Sequence, residues 1–355
     1  MARIDEPTAA YTGEEFDIER VRGLLREAVP GLEEPMTVTR FASGYSNLTF
    51  LLKSGGREMV LRRPPRGKKP KSGHDMAREF RVLKVLKPHF RYCPEPVLFC
   101  DDLSVMDSPF YVMERIRGTI LRRNLPEDLM LTPANARALS ANLIKVLCEL
   151  HALDYREIGF EDFGKPQGYV KRQVDGWCAR YRDARTPDAP DFETVMRWLQ
   201  EKMPPDSPRP SLIHNDYKFD NVVLDEHDPL NIIGVLDWEM ATIGDPLMDL
   251  GNSLAYWVEP GDSEELQFAR MMATNVEGML SRREQAELYA GTMGVDAGNI
   301  DYYYCFGIFR LAVIAQQIYY RFYHGQSKDE RFRMLIFSVK IGENTALRII
   351  GESGL

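Results

Sequence analysis

Residues 214–249 read HNDYKFDNVVLDEHDPLNIIGVLDWEMATIGDPLMDL, and this stretch constrains the chain more than any other. Two short apolar runs, 222–224 (VVL) and 232–236 (IIGVL), flank the turn-rich DEHDPLN, which predicts a β-hairpin. His214-Asn215-Asp216-Tyr217-Lys218-Phe219-Asp220-Asn221 stands before the first strand, and Asp237-Trp238-Glu239 after the second. Acidic and amide groups therefore occupy both open ends of one hairpin, where they can converge.

Phosphoryl transfer is the chemistry that uses such an arrangement. A carboxylate must accept the proton of an attacking hydroxyl, and oxygen ligands must hold magnesium on the phosphates of ATP. His-x-Asp-x-x-x-x-Asn is the spacing of a kinase catalytic loop, and a magnesium-binding Asp follows on the next strand. Asp216 is then the candidate base, Asn221 and Asp237 the candidate metal ligands, and Lys218 a cation placed to reach the transferred phosphate. Either triplet alone reads as ordinary loop polars. Their joint order, trailed by Gly244-Asp245-Pro246 and Asp249, favours the catalytic reading. Too few residues separate Glu239 from Gly244 for a protein-kinase activation segment.

The chain has 355 residues, 44% of them hydrophobic, enough for a large core in one two-lobed unit or two domains. A net charge of −8 argues against a nucleic-acid partner. Cys93, Cys100, Cys148, Cys178 and Cys305 are odd in number and dispersed, which predicts reduced thiols in a cytoplasmic protein. Asp5, Glu6, Glu14 and Glu15 exclude a signal-peptide reading of the first residues, which are expected to form a mobile arm. No membrane association is expected: the most apolar stretch, 302–320, carries Arg310 in its middle and reads as a buried aromatic helix.

Along the chain, periodicity predicts a helix over 16–29, strands over 36–41, 48–53 and 58–62, a helix over 75–87 capped by Asp75, and strands over 96–101 and 109–116. The remainder reads as helical: 134–151, 166–183, 191–203, 247–258, 263–280, 282–292, 299–323 and 328–350. The turn Ala42-Ser43-Gly44-Tyr45-Ser46-Asn47 reads either as a plain hairpin turn or as backbone N–H groups offered to phosphate. No Walker-type phosphate loop is present. Arg62 to Lys71 reads as a solvated basic loop or as an anion gate.

LRRPPRG at 61–67, AREFRVL at 77–83, FGKPQGYVKRQVDGW at 163–177 and LDWEMATIGDPLMDL at 236–250 give the chain, from about Thr37 to Tyr323, its resemblance to a known family. It resembles the aminoglycoside phosphotransferase-like kinases, relatives of choline and homoserine kinases, and most closely those found alone in bacteria or fused to acyl-CoA dehydrogenases. The resemblance implies an α+β, two-lobed protein-kinase-like fold: an antiparallel sheet lobe over 1–117 and a larger helical lobe over 118–355. It implies that Ser43, Gly44, Ser46 and Asn47 grip ATP phosphates, with Ser43 where the family has a second Gly. Arg62 takes the place of the phosphate-binding Lys, and Glu79 is its ion partner rather than a surface helix charge. The backbone of Glu114 and Ile116 would read adenine at the interlobe hinge. Asp249 would brace the catalytic loop, and His151 reads as a satisfied buried histidine. The implied activity is ATP- and Mg-dependent phosphorylation of a small metabolite's hydroxyl, a hydroxy acid or hydroxyacyl-CoA being the acceptor suggested by the acyl-CoA context. The alternative is a nucleotide-binding pseudokinase that regulates a partner such as an acyl-CoA dehydrogenase. Its usual mark, loss of the base or a metal ligand, is absent here.

Overall fold

Alternation of apolar residues along the first strands fixes how the N-terminal part is layered. The structure, a computed structural model, describes all residues except 1–3, 8, 13–15, 33–34, 42–46 and 66–74. The chain forms two compact units, one of Met1–Ile120 with Asn221–Ala241, the other of Leu121–Asp220 with Thr242–Leu355.

In the first unit β1 (Ala9–Ala10), α1 (Ile18–Ala28), β2 (Met36–Arg40), β3 (Leu48–Ser54), β4 (Arg57–Arg63), α2 (Met76–Leu86), β5 (Pro96–Cys100) and β6 (Phe110–Glu114) follow in order. The sheet runs β1-β2-β3-β4-β6-β5, antiparallel throughout. Phe50, Leu52, Met59, Leu61, Phe110 and Val112 lie on one face, where Val21 and Leu25 of α1 complete the core. The intervening residues, Val60, Arg62 and Tyr111 among them, belong to the opposite face because strand side chains alternate. There α2 packs, with its Phe80 ring 6.2 Å from that of Tyr111. Arg62 and Glu79 are thus brought to the same side by a period of two on a strand and one turn of a helix.

The predicted mobile arm is a correction. Ala9 and Ala10 pair with Arg40 and Thr39, the Asp5 N–H donates to the Gly118 carbonyl at 3.1 Å, and Arg115 holds the Asp5 carbonyl at 2.6 Å. An unpaired edge on β2 and a buried guanidinium supply partners that no local pattern in 4–12 announces.

The hairpin forms as predicted, β8 (Val222–Leu224) against β9 (Ile232–Val235), and belongs to the first unit. Thr119 exchanges two 2.8 Å backbone hydrogen bonds with Leu224, and the Val235 N–H donates to the Tyr92 carbonyl. Two glycines permit this seating. A Cβ on Gly118 would stand 2.2 Å from the Leu224 carbonyl oxygen, and one on Gly234 would stand 2.8 Å from the Ile116 side chain.

The second unit holds α3 (Pro133–His151), α4 (Tyr169–Ala184), α5 (Glu193–Glu201), β7 (Ser211–Ile213), β10 (Thr242–Gly244), α6 (Pro246–Ala255), α7 (Glu264–Ala269), α8 (Arg282–Met293), α9 (Ile300–Tyr323) and α10 (Leu335–Glu352). The aromatic helix α9 is central, packed by α4, α6 and α10. Gly251 and Gly307 let α6 and α9 approach: a Cβ on Gly307 would lie 2.5 Å from the Gly251 carbonyl. β7 and β10 pair antiparallel across the two sides of the hairpin sequence, a pairing too short and too distant in sequence for periodicity to reveal.

The helix expected over 263–280 stops at Ala269. Beyond it the backbone finds other partners. The Ala273 N–H donates to the Arg122 carbonyl at 2.8 Å, and the Thr274 hydroxyl takes the Val258 N–H and gives to the Val258 carbonyl. Such local bonds compete with helix. The helix expected over 328–350 likewise begins as a 3₁₀ turn, Glu330–Met334, before α10. No helix among the described residues is long and apolar enough to cross a membrane. All five cysteines are buried free thiols.

Candidate active site

In the first unit the site begins with a buried guanidinium. Arg62, near the end of β4, pairs with Glu79 of α2 and donates to Asp237 Oδ1 at 2.9 Å. Glu79 is 2% exposed, which excludes a surface-charge role for it. Burial alone would lower the Arg62 pKa, but Glu79, Tyr111, Asp237 and Glu239 hold it well above the ordinary value. The planar fork of Arg reaches two carboxylates at once, which a lysine ammonium does with less geometric definition.

Asp237 follows β9 in the left-handed conformation, φ 66° and ψ 64°. A non-glycine residue is held there only when its surroundings fix it. Trp238 supplies the fixing: its indole donates to the Val235 carbonyl at 2.9 Å and its ring stacks edge-on against Phe90. Asn221 ends a 3₁₀ turn, Phe219–Asn221, and its carbonyl takes the Leu236 N–H at 2.8 Å. Asn221 and Asp237 therefore stand at the joined open end of the hairpin. They offer one amide and one carboxylate oxygen, a hard donor set suited to magnesium that arrives on phosphate. Among the described residues no group of three or more His, Cys, Asp or Glu gathers to hold a metal unaided.

Asn47, just before β3, donates its amide to Glu239 Oε2 at 3.0 Å. Ser43, Gly44 and Ser46 lie outside the described residues, as do Arg66, Lys68, Lys69 and Lys71 of the basic run. The run's first two arginines are no part of a solvated loop. Arg62 is engaged as above, and Arg63, 1% exposed, pairs with Asp107. Glu114 closes β6 with its N–H on the Glu95 carbonyl at 2.9 Å, and the Ile116 side chain lies against Gly234.

In the second unit the loop 214–220 is fixed through its backbone. The fully buried Asp249 of α6 accepts the His214 and Asn215 N–H groups, each at 2.7 Å, and His151 Nε2 lies 3.1 Å from it. Burial raises the Asp249 pKa, yet the His151 and His214 imidazoles and the N–H donors bring it below the usual value. His151 Nδ1 meets the Tyr289 hydroxyl at 2.7 Å, so this histidine is satisfied and structural. Asn215 adopts φ 65°, turning the loop so that the Asp216 N–H donates to His214 Nδ1 at 3.2 Å. The Tyr217 hydroxyl ties the loop to the Leu143 carbonyl at 2.8 Å.

Both oxygens of Asp216 are held. Lys218 pairs with Oδ2, and the Tyr256 hydroxyl donates to Oδ1 at 2.9 Å. Lys218 Nζ also sits 4.5 Å from the centre of the Tyr256 ring. Burial would lower the Lys218 pKa, but Tyr256 and Asp216 raise it, so the ammonium persists. Burial, reinforced by Asp216, pushes the Tyr256 phenol up to about 12 and keeps it a donor.

The phosphotransferase enzyme family model matches residues 37–282, more than half of the chain. The chain belongs to that family. It is 32% identical over 322 residues to acyl-CoA dehydrogenase family member 11 of Rattus norvegicus, covering 89% of this chain and 41% of that one. The chain thus spans about two fifths of the length of that relative. A solved structure from Ralstonia eutropha JMP134, provisionally assigned as an aminoglycoside phosphotransferase, matches with a TM-score of 0.81 and 27% identity, over 96% of this chain and all of that one. Choline kinase of Cryptosporidium parvum matches in fold, with a TM-score of 0.64 and 14% identity over 95% and 96% of the two chains. The fold of the chain is therefore the protein-kinase-like fold of the aminoglycoside phosphotransferases and choline kinases.

Sequence reasoning missed three contributors: Tyr256 on Asp216, Glu239 on Asn47, and Arg122, which pairs with Asp220. Glu239 could have been found, since it stands in the Asp-Trp-Glu triplet. Tyr256 and Arg122 carry no motif, and only the folded chain brings them to the loop.

Proposed function

We propose that this protein is an ATP- and magnesium-dependent kinase that phosphorylates a hydroxyl of a small metabolite. Asp216 orients the acceptor hydroxyl and takes its proton. Lys218 and Tyr256 fix the plane of that carboxylate, and Asp249 fixes the backbone beneath it. Asn221 and Asp237 hold the metal, whose bound ion supplies charge neutralisation on the phosphates. Arg62, kept protonated by Glu79, meets phosphate oxygens, and Asn47 stands at the phosphate end of the first hairpin. The observation that carries this reading is the two-sided grip on Asp216 by Lys218 and Tyr256. The two opposed donors fix the orientation of the carboxylate, and fixed geometry toward the acceptor hydroxyl is the first requirement of a general base. Family membership supports small-molecule phosphorylation.

For the acceptor, we propose a hydroxy acid or its CoA thioester. The relative named for acyl-CoA dehydrogenation supports an acyl context. The test is ATP consumption with mass detection of product, using 3- and 4-hydroxyacyl-CoAs, free hydroxy acids, choline and kanamycin-type amines. Phosphorylated acyl compounds are expected. Rapid turnover of the amines alone would overturn the acceptor assignment, and ATP binding without turnover on any acceptor would favour a regulatory pseudokinase.

A further inference from the structure

Two arginines of the second unit face each other without an acidic partner. Arg270, just past α7, donates through Nη1 to the carbonyls of Arg123 and Met272 and through Nη2 to the Asn124 amide oxygen at 3.3 Å. Its Nε is buried with no hydrogen-bond partner. Arg123 donates to the Phe268 carbonyl at 2.9 Å. The acceptors of both guanidinium groups are neutral, and among the described residues no carboxylate pairs with either. Burial and the neighbouring Arg123 together lower the Arg270 pKa, the sign of a cation lacking a counter-charge. Elsewhere this chain pairs its arginines readily, as Arg282 does with Asp262 at 2.6 Å.

The same segments expose apolar side chains. Phe268 is 63% and Met271 60% exposed, and α7 buries none of its residues. Large apolar groups set beside unpaired cations mark a surface for an amphiphile with an anionic end.

This surface adjoins the loop that carries the base. Arg122, next to Arg123, pairs with Asp220, and its carbonyl takes the Ala273 N–H. Thr274 is double-bonded by hydrogen bonds to Val258, two residues beyond the Tyr256 that holds Asp216. The 121–124 segment is therefore tied to Asp220 of the catalytic loop, and the 268–274 segment to Val258, just past the end of α6.

We propose that Arg123 and Arg270, with Phe268 and Met271, form the acceptor-recognition surface, taking the anionic group of an aliphatic hydroxylated substrate on the arginines and its chain on the two apolar side chains. This rests on the kinase reading above and deepens it. The anion is either a phosphate of a carrier thioester or the carboxylate of a free acid.

The test is calorimetric binding of decanoyl-CoA and of decanoate, which lack the reacting hydroxyl and so report recognition without turnover. Wild type is expected to bind one or both; binding of decanoyl-CoA alone assigns the phosphates, and equal binding of decanoate assigns the carboxylate. Arg123→Ala with Arg270→Ala should weaken binding by about tenfold per arginine. Because Arg270 also ties the two segments together, the exposed Arg123→Glu is the second arm. It should weaken binding at least tenfold with an unchanged melting temperature. Phe268→Ser with Met271→Ser should abolish the gain in affinity from octanoyl to decanoyl chains. Equal affinity in wild type and Arg123→Glu, or no binding of either compound, overturns the surface assignment. Turnover of an acceptor would still stand or fall separately on Asp216.

Discussion

The candidate residues of the first unit and those of the second are held on opposite principles. In the first unit charge is buried against charge: Arg62, 8% exposed, lies between Glu79 and Asp237. In the second unit the buried charge, Asp249, is spent on backbone N–H groups, and the proposed base, Asp216, stays partly exposed between a lysine and a tyrosine. The difference separates function from stability. Removing one member of a fully buried pair strands the other, whereas replacing the partly exposed Asp216 should cost the fold less.

That contrast orders the expected effects. Asp216→Ala should lower kcat by roughly 10²–10⁴ while costing the fold less than Asp249→Ala does; steady-state kinetics beside a thermal melt checks both. A variant that retains wild-type kcat would take the base role from Asp216.

Asp249→Ala should do the reverse of a pure catalytic loss, destabilising the fold by about 3–5 kcal/mol because two N–H donors and His151 lose their acceptor. Urea denaturation reads this directly. The pH dependence follows from its lowered pKa. The unfolded carboxyl titrates near the ordinary ~3.9, so the contribution is fully present above that and is lost as pH falls through the lower folded value. The acid limb of the wild-type stability curve should be steeper than that of Asp249→Asn, and parallel limbs would contradict the assignment.

Arg62→Ala and Glu79→Ala should couple by about 0.5–3 kcal/mol in a double-mutant cycle on stability, since each alone leaves a buried charge. Strict additivity would mean the pair contributes nothing as a pair. The narrowest effect is expected at Tyr256→Phe, which removes a single hydrogen bond, to a charged acceptor, of about 1.5–3 kcal/mol. It should lower kcat more than it changes KM, and an unchanged kcat would make the phenol a packing residue.

How much of this was legible in the sequence follows the same division. The hairpin, its flanking acids and the strand and helix that carry Arg62 and Glu79 are local patterns, read from a period of two, a period of 3.6 and a motif. The helix N-cap at Asp75 was equally plain, and its side chain accepts the Arg78 N–H. What escaped was non-local. The pairing of β7 with β10 joins three-residue strands about thirty residues apart. Tyr256 lies at the end of an apolar helix where a tyrosine reads as packing, and only the return of α6 past the loop sets its hydroxyl on Asp216. The end of α7 at Ala269 depends on partners at Arg122 and Val258, which no window over 263–280 contains. The basic run misled because charge counting is blind to burial: its first two arginines are inside.

The central claim is a division of labour, with metal and phosphate on Asp237 and its neighbours and proton transfer on Asp216. The most direct measurement is calorimetric titration of Mg·ATP into Asp216→Ala and Asp237→Ala side by side. The account predicts near wild-type affinity for Asp216→Ala and loss of magnesium-dependent affinity for Asp237→Ala. Equal affinities in the two variants, or the reverse order, would contradict it.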